Sequence, residues 1–291
     1  MSTANGGYYL PEPSPWPVIM SSGLFITALG FILQMNGYAP GPWLMLAGGV
    51  IIVYIMFRWF GQVIAESEAG VYNDQVDMSF RLGMSWFIFS EIMFFAAFFG
   101  ALFYVRVFSV EWIGATDMLW PAFDAHWPTA GPEGLKAIAA STEPGPGQFS
   151  PMGAWGIPAI NTAILLTSGA TVTAAHWALK KDDRGSLVFW LAITSLLGVV
   201  FLSLQAYEYA HAWTELDLTM STGVYGATFY LLTGFHGFHV TMGTIMLIVI
   251  LIRSMKGHFK PDQHFGFEGV AWYWHFVDVV WLGLFIFVYW L

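Results

Sequence analysis

The stretch SWFIFSEIMFFAAFFG, Ser85 to Gly100, decides the fold class of this chain. Every residue in it except Glu91 is apolar, aromatic or small. Apolar runs of this kind recur along the chain, and a helix of about 20 such residues crosses a hydrocarbon layer roughly 30 Å thick. The alternating ten-residue segments of a transmembrane barrel are missing. The sequence therefore predicts an all-α, polytopic membrane protein.

The composition excludes several other classes. The chain is 57% hydrophobic and 10% charged, whereas a soluble domain carries about 25% charged residues. It contains no cysteine, which excludes disulfides, iron–sulfur clusters and thiolate-bound metals. The net charge of −9 argues against nucleic acid as a partner, because nucleic-acid binding needs a basic face.

Proline, glycine and charged residues divide the chain into seven predicted spans. The spans are 17–36, 42–64, 82–106, 157–179, 187–211, 224–253 and 268–291. A segment rich in proline, glycine and alanine, 107–156, separates the third span from the fourth and is predicted to be an irregular outer loop.

Lysine and arginine positions predict the orientation, because these residues accumulate on the cytoplasmic side of membrane proteins. With the N-terminus inside, eight basic residues fall on the inner side: Arg58, Arg81, Lys180, Lys181, Arg184, Arg253, Lys256 and Lys260. Only Arg106 and Lys136 fall outside. We therefore expect a cytoplasmic or matrix-facing N-terminus and a C-terminus on the opposite side.

Two carboxyls are predicted to lie deep in the membrane. Glu91 is ten residues beyond Arg81 and Asp278 is ten beyond Glu268, which places each about 15 Å along its helix. An ionised carboxylate there costs on the order of 3 kcal/mol or more. Each must be protonated, paired, hydrogen-bonded or facing water. The residues alone leave open whether they join helices or serve as proton or lipid sites.

Histidines and interfacial aromatic residues provide further candidates. His236 and His239 lie on one face of the sixth span, and His275 is in the seventh. They could ligate a haem, but hydrogen bonds to neighbouring helices would satisfy His236 and His275 equally well. Trp59, with Arg58 before it and Glu66 two turns later, combines a ring, a cation and a carboxylate as a lipid headgroup site would.

Several motifs resemble subunit III of the haem–copper cytochrome c oxidases. They include FIFSEIMFF (87–95), LQAYEY (204–209), GFHGFHV (234–240) and HFGFEGVAWYWHFVDVVWL (264–282). Further matches are PSPWP (13–17), NTAILLTSG (161–169), AHWAL (175–179) and GVYGATFY (223–230). Together they cover every predicted span except the second, where only VIAES (63–67) is suggestive.

The resemblance implies a division of the fold. A cytoplasmic tail, 1–16, would precede a two-helix bundle, 17–64. An inner loop, 65–81, would lead to a five-helix bundle, 82–291. A V-shaped cleft between the bundles would hold phospholipid.

The resemblance also implies a core subunit of a proton-pumping oxidase that carries no catalytic residue, cofactor or metal of its own. Haems and copper would reside in subunits I and II. The chain would pack directly on subunit I and meet cytochrome c only indirectly. It would keep proton uptake fast and protect the catalytic centre during turnover. Glu91 would border the cleft, and Trp59, Glu66, His239 and Arg253 would lie near lipid.

The sequence departs from the family pattern at two points: the amino-terminal tail contains no histidine that could serve as a proton antenna, and one connecting segment differs. The His-Thr-Pro segment usual between the second and third spans is replaced by GVYNDQV. A histidine at this position cannot contact lipid or collect protons here, although Asp74, Asp77, Glu66 and Glu68 could form an acidic collecting surface instead. The long outer loop favours a bacterial plasma membrane over the mitochondrial inner membrane.

Two other functions stay open at this point. A stand-alone proton-coupled transporter would use Glu91 and Asp278 as relay sites. A haem-bearing membrane cytochrome would use His236, His239 and His275 as ligands.

Overall fold

The computed structural model describes residues 13–116, 118–121, 123–132 and 149–291. In this part of the chain, seven helices are long and apolar enough to cross a membrane. The described residues contain no β-strand. The predicted all-α membrane fold with seven spans is confirmed. Most of the predicted tail, Lys136 and the centre of the predicted outer loop lie outside the described residues.

The helices follow the predicted order. They are α1 (Trp16–Met35), α2 (Gly41–Glu68), α3 (Asp74–Tyr104), α4 (Val110–Gly114), α5 (Ile157–Lys180), α6 (Arg184–Glu215), α7 (Val224–Met255) and α8 (Phe265–Leu284). A π-helical turn, Val105–Ser109, joins α3 to the short α4, and a second one, Phe285–Trp290, extends α8.

Several helices extend beyond the predicted apolar spans, most clearly α3. This helix begins at Asp74 rather than at residue 82, and the helical path continues beyond residue 106 to Gly114. The backbone N–H of Val76 donates to the Asn73 side chain at 3.0 Å, and Asp74 and Asp77 occupy the first turn. An N-terminal polar cap and acidic residues stabilise a helix start. Hydrophobic length therefore predicts the membrane segment and not the whole helix.

The described chain forms two compact units, within residues 1–80 and 81–291. In the first unit α1 and α2 pack against each other through glycines. A Cβ added at Gly30 would come within 2.5 Å of the Met45 nitrogen, and one at Gly48 within 2.7 Å of the Thr27 nitrogen. Only glycine permits such close backbone approach. The predicted V-shaped lipid cleft stays a prediction.

In the second unit α8 lies at the centre. Trp274 and Trp281 are fully buried, and their indole N–H groups donate to Ser168 and Thr162 of α5, both at 2.9 Å. Buried indoles need such a partner. The later tryptophan of α8, Trp281, bonds to the earlier residue of α5, Thr162. The two helices are therefore antiparallel.

A tight turn connects α5 to α6. Asp183 caps α6 by accepting hydrogen bonds from the Ser186 hydroxyl at 2.6 Å and from its backbone N–H at 3.1 Å. These bonds, the hydroxyl first, lower the pKa of the Asp183 carboxyl because they favour its ionised form. The stabilisation from this cap is present above the unfolded-state pKa and is lost as pH falls through the lower folded-state pKa.

Candidate functional site

Glu91, the carboxyl in the middle of α3, is paired with His239 of α7. The Glu91 Oε2 and His239 Nε2 atoms are 2.8 Å apart. The other ring nitrogen, Nδ1, lies 2.6 Å from the backbone carbonyl of Phe235, one turn earlier in α7. The helical i, i+4 spacing brings that carbonyl under the ring. The pair therefore ties α3 to α7 deep inside the apolar layer.

The hydrogen bonds of His239 determine the total charge of this pair. A carbonyl can only accept, so Nδ1 of His239 carries a proton. In neutral histidine Nε2 is then an acceptor, and it can bond Glu91 only if that carboxyl is protonated. In the imidazolium form Nε2 donates to a carboxylate instead. In both forms one proton lies between the two side chains, and the pair has no net charge.

Aromatic rings enclose most of the pair. The centre of the Phe95 ring lies 5.1 Å from that of the His239 ring, and the Tyr273 ring stacks on His239 with a centre-to-centre distance of 6.3 Å. The Glu91 side chain is 22% exposed and that of His239 is 9% exposed. Such apolar surroundings oppose separation of charge. They favour a neutral, hydrogen-bonded pair whose carboxyl side reaches the surface of the second unit.

Asp278, the other predicted carboxyl, lies beside His275 and Thr173. The Thr173 hydroxyl donates to the Gly169 carbonyl at 2.9 Å, so it can only accept from His275 Nε2, 3.3 Å away. The His275 Nδ1 then faces Asp278 Oδ2 at 3.6 Å. This contact is too long for a hydrogen bond, but it places a second carboxyl next to an imidazole, here between α5 and α8.

The three histidines considered as haem ligands have separate partners. His236 is buried, and its Nε2 donates to the Val277 carbonyl at 3.2 Å. His239 Nε2 is bonded to Glu91 and His275 Nε2 to Thr173. The geometry favours polar contacts between helices at His236 and His275.

Trp59 and Glu66, predicted to lie near lipid, belong to α2 in the first unit. Glu66 accepts hydrogen bonds from Gln62 at 2.7 Å and from the Tyr72 hydroxyl at 2.6 Å. Gln62 in turn accepts from the Trp16 indole at 2.5 Å. This chain of bonds joins the start of α1, the end of α2 and the segment before α3. Glu66 thus has a structural role whether or not lipid is bound.

Arg253 lies in the last turn of α7, in the second unit. Its guanidinium carbon is 4.5 Å from the centre of the Phe259 ring, a cation–π distance. A basic residue in the last turn also complements the helix dipole. The position at a helix end, next to an aromatic ring, suits an anionic headgroup.

The sequence analysis missed two polar clusters. Glu208 is completely buried and accepts from the Tyr289 hydroxyl at 2.6 Å. At the opposite end of α8, His176, His264 and Glu268 converge, and Arg81 is paired with Glu268. Each cluster joins residues that are far apart in sequence, Glu208 with Tyr289 and His176 with Glu268, and only His264 and Glu268 lie within one motif.

Comparisons with known proteins agree with this architecture. The model of the family described as cytochrome c oxidase subunit III matches residues 6–130 and 137–291. The chain belongs to the cytochrome c oxidase subunit III family. It is 42% identical to "Cytochrome c oxidase subunit 3" of Prototheca wickerhamii over 97% of this chain and 96% of that protein. It is 40% identical to the "Probable cytochrome c oxidase subunit 3" of Rickettsia felis, over 97% of this chain and 94% of the relative.

Family membership establishes the general function of the chain. The chain is a non-redox, multi-pass membrane subunit of a cytochrome c oxidase, which as a complex is an oxidoreductase. It assembles with other subunits of that oxidase. The comparisons support neither a stand-alone proton-coupled transporter nor a haem-bearing cytochrome.

Proposed function

We propose that this subunit binds phospholipid, packs directly on subunit I and belongs to a complex that also contains subunit II. Haems and copper reside in subunits I and II, and this chain contributes no redox cofactor. Cytochrome c meets it only indirectly. Its role is to keep proton uptake into subunit I fast and to protect the catalytic centre during turnover.

The Glu91–His239 pair is the main observation in favour of a supporting role for this subunit. Its one proton lies in a hydrogen bond enclosed by aromatic rings, and its His239 side is anchored to the Phe235 carbonyl. A proton relay would need groups that gain and lose protons in sequence. A neutral pair that fixes α3 against α7 supports instead a rigid scaffold with a polar point at its surface.

Lipid binding is supported by residues at helix ends. Trp59 and Glu66 lie towards the end of α2, and Arg253 lies in the last turn of α7. Aromatic and basic side chains at these depths are suited to headgroups. Glu66 accepts two hydrogen bonds, and we assign it the positioning of the α2 end. We assign the direct headgroup contact to Arg253 because its side chain carries the positive charge that an anionic headgroup attracts.

The acidic collecting surface has weaker support. Asp74 and Asp77 occupy the first turn of α3, where carboxylates stabilise the helix dipole, and Glu66 is bonded to Gln62 and Tyr72. Replacing Asp74, Asp77, Glu66 and Glu68 by amides tests the proposal. Unchanged proton uptake by the assembled oxidase between about pH 7 and 9, where carboxylates are ionised, would eliminate it.

Controlled removal of the subunit tests the main proposal. We expect the oxidase without it to retain its visible spectrum and to begin turnover. Its proton uptake should be slower, and activity should decline with the number of turnovers rather than with elapsed time. Readdition of the wild-type subunit before turnover should restore both properties. A depleted complex that loses haem or copper signals would show that the chain holds part of the redox centres.

A further inference from the structure

A compact group of metal-ligating atoms lies where α5 ends and α8 begins. His176 Nε2 is 3.2 Å from His264 Nε2 and 3.5 Å from Glu268 Oε1. His264 Nε2 is 3.2 Å from the same Glu268 oxygen. The side chains of His176, His264 and Glu268 are 19%, 7% and 11% exposed. Three atoms with lone pairs thus face one another in a largely buried place.

We propose that His176, His264 and Glu268 bind a zinc-type divalent cation. Zinc bonds to histidine nitrogen at about 2.0–2.1 Å and to carboxylate oxygen at about 2.0–2.2 Å, usually in tetrahedral geometry. Ligand atoms of such a tetrahedron are about 3.3–3.4 Å apart. The three separations in this cluster, 3.2, 3.2 and 3.5 Å, match that spacing. Two imidazoles and one carboxylate leave the fourth position for water.

The second contacts of these side chains orient them for metal binding. The other nitrogen of His264, Nδ1, lies 3.1 Å from the Lys260 carbonyl and must donate to it. In neutral His264 the lone pair is therefore on Nε2, the atom inside the cluster. Arg81 is paired with Glu268 Oε2, which leaves Oε1 for the cation. Outer partners of this kind fix the tautomer and the orientation of metal ligands.

Protons alone satisfy at most two of the three contacts. If His264 is an imidazolium, its Nε2–H and that of His176 can both point to Glu268 Oε1, but the two N–H groups then face each other. With neutral His264, the Nε2–H of His176 can point to one acceptor at a time. The contact between His264 Nε2 and Glu268 Oε1, at 3.2 Å, then joins two lone pairs. A cation among the three atoms makes all three contacts favourable. The positive charges of Arg81 and Lys180 oppose it, so we expect weaker binding than in a closed four-ligand site.

The proposed cation would have a structural role. It would join the last turns of α5 to the first turn of α8, and through Glu268 it would act on Arg81 of α3. Zinc has no redox chemistry, so this site is compatible with a non-redox subunit. It departs from the expectation that the chain holds no metal of any kind.

Zinc binding by the assembled oxidase tests the site. Chelator-treated complex is titrated with Zn²⁺ alone by equilibrium dialysis, in wild type and in the variants His264→Gln, Glu268→Gln and His126→Gln. His126 is an exposed histidine in the segment 123–132 and serves as a matched control. We expect the first two variants to lose one zinc equivalent, or to bind it at least about 100-fold more weakly. The control should bind as wild type does.

A second measurement covers variants that fail to assemble. Diethyl pyrocarbonate modifies histidines of the wild-type complex, and peptide mass mapping then reads each site with and without Zn²⁺. Protection of His176 and His264 but not of His126 supports the site. Equal zinc stoichiometry in wild type and the assembled cluster variants, or modification of His176 and His264 that zinc does not reduce, overturns it.

Discussion

At the scale of single residues, Glu91 is tolerated in an apolar span because its surroundings cancel its charge. A lone carboxylate at this depth costs on the order of 3 kcal/mol or more. The 2.8 Å bond to His239 and the bond from that ring to the Phe235 carbonyl leave the pair neutral. When both side chains are neutral, the pair requires a donor at position 91 and an acceptor at position 239.

This requirement predicts different effects of two substitutions at Glu91. In Glu91→Gln the amide NH₂ donates to His239 Nε2, so assembly should be nearly unchanged and turnover should fall only modestly. In Glu91→Met, a substitution of similar size, the buried nitrogen loses its partner at a cost of about 1–3 kcal/mol. Thermal release of the subunit from the oxidase measures the difference. Equal destabilisation by both variants would show that the pair needs an ionised carboxylate.

Arg253 allows a second prediction at this scale. Arg253→Ala should weaken retention of an anionic phospholipid because it removes a cation from the end of α7. Lys256→Ala, at an exposed position three residues further on, is the control and should retain lipid as wild type does. Native mass spectra of the oxidase count the bound lipids. Equal lipid content in the Arg253→Ala variant and wild type would contradict the assignment.

The sequence predicted individual site residues better than their partners. Glu91 and His239 are recognisable as polar residues in apolar helices, but their pairing links positions 148 residues apart. Glu208 lies within the motif LQAYEY, yet its burial and its bond to Tyr289 depend on packing between α6 and the end of the chain. Such contacts arise from helix packing, which local spacing does not encode.

At the scale of helices, hydrophobic length predicted all seven spans because the membrane thickness sets that length. The helix ends depended on capping instead. Asn73 and Asp183 begin α3 and α6 through side-chain hydrogen bonds outside the apolar segments. Composition did not predict burial either. In the apolar part of α8, 61% of the residues are buried, compared with 11% in each of α1, α2 and α3, although these spans are similarly apolar.

The packing of α1 against α2 predicts opposite outcomes at two adjacent glycines. A Cβ at Gly48 would lie 2.7 Å from the Thr27 nitrogen and 2.8 Å from the Gly23 carbonyl oxygen, whereas one at Gly49 would meet nothing within 4 Å. Gly48→Ala should therefore cost about 1–3 kcal/mol through overpacking. Gly49→Ala should be neutral or stabilise by up to about 1 kcal/mol, because alanine favours helix.

Protease sensitivity of the α1–α2 hairpin, recorded while the purified oxidase is heated, measures the stability of both variants. The hairpin should become sensitive at a lower temperature in Gly48→Ala and at an unchanged or higher temperature in Gly49→Ala. Equal sensitivity in the two variants would show that the close approach of α1 and α2 contributes little to stability.

At the scale of the whole molecule, charge at the helix ends determines how the chain inserts. Lys180, Lys181, Arg184 and Lys256 lie at exposed positions in or next to the connections that join α5 to α6 and α7 to α8. The opposite connections are acidic or neutral, as at Glu215 and Asp217 before α7. Basic residues near span ends are retained on the cytoplasmic side. The same bias predicts an N-terminus on the cytoplasmic or matrix side of the membrane.

The absence of cysteine from the chain makes this topology directly measurable. Single cysteines at Lys181 and Lys256 should react with a membrane-impermeant maleimide only after the cells are lysed. Cysteines at His126 and Ser221, in connections predicted to lie outside, should react in intact spheroplasts. Oxidase activity of each variant verifies that it is assembled. Labelling of Lys181→Cys and Lys256→Cys in intact spheroplasts, with protection at the other two positions, would invert the orientation and place the His176–His264–Glu268 cluster on the periplasmic side.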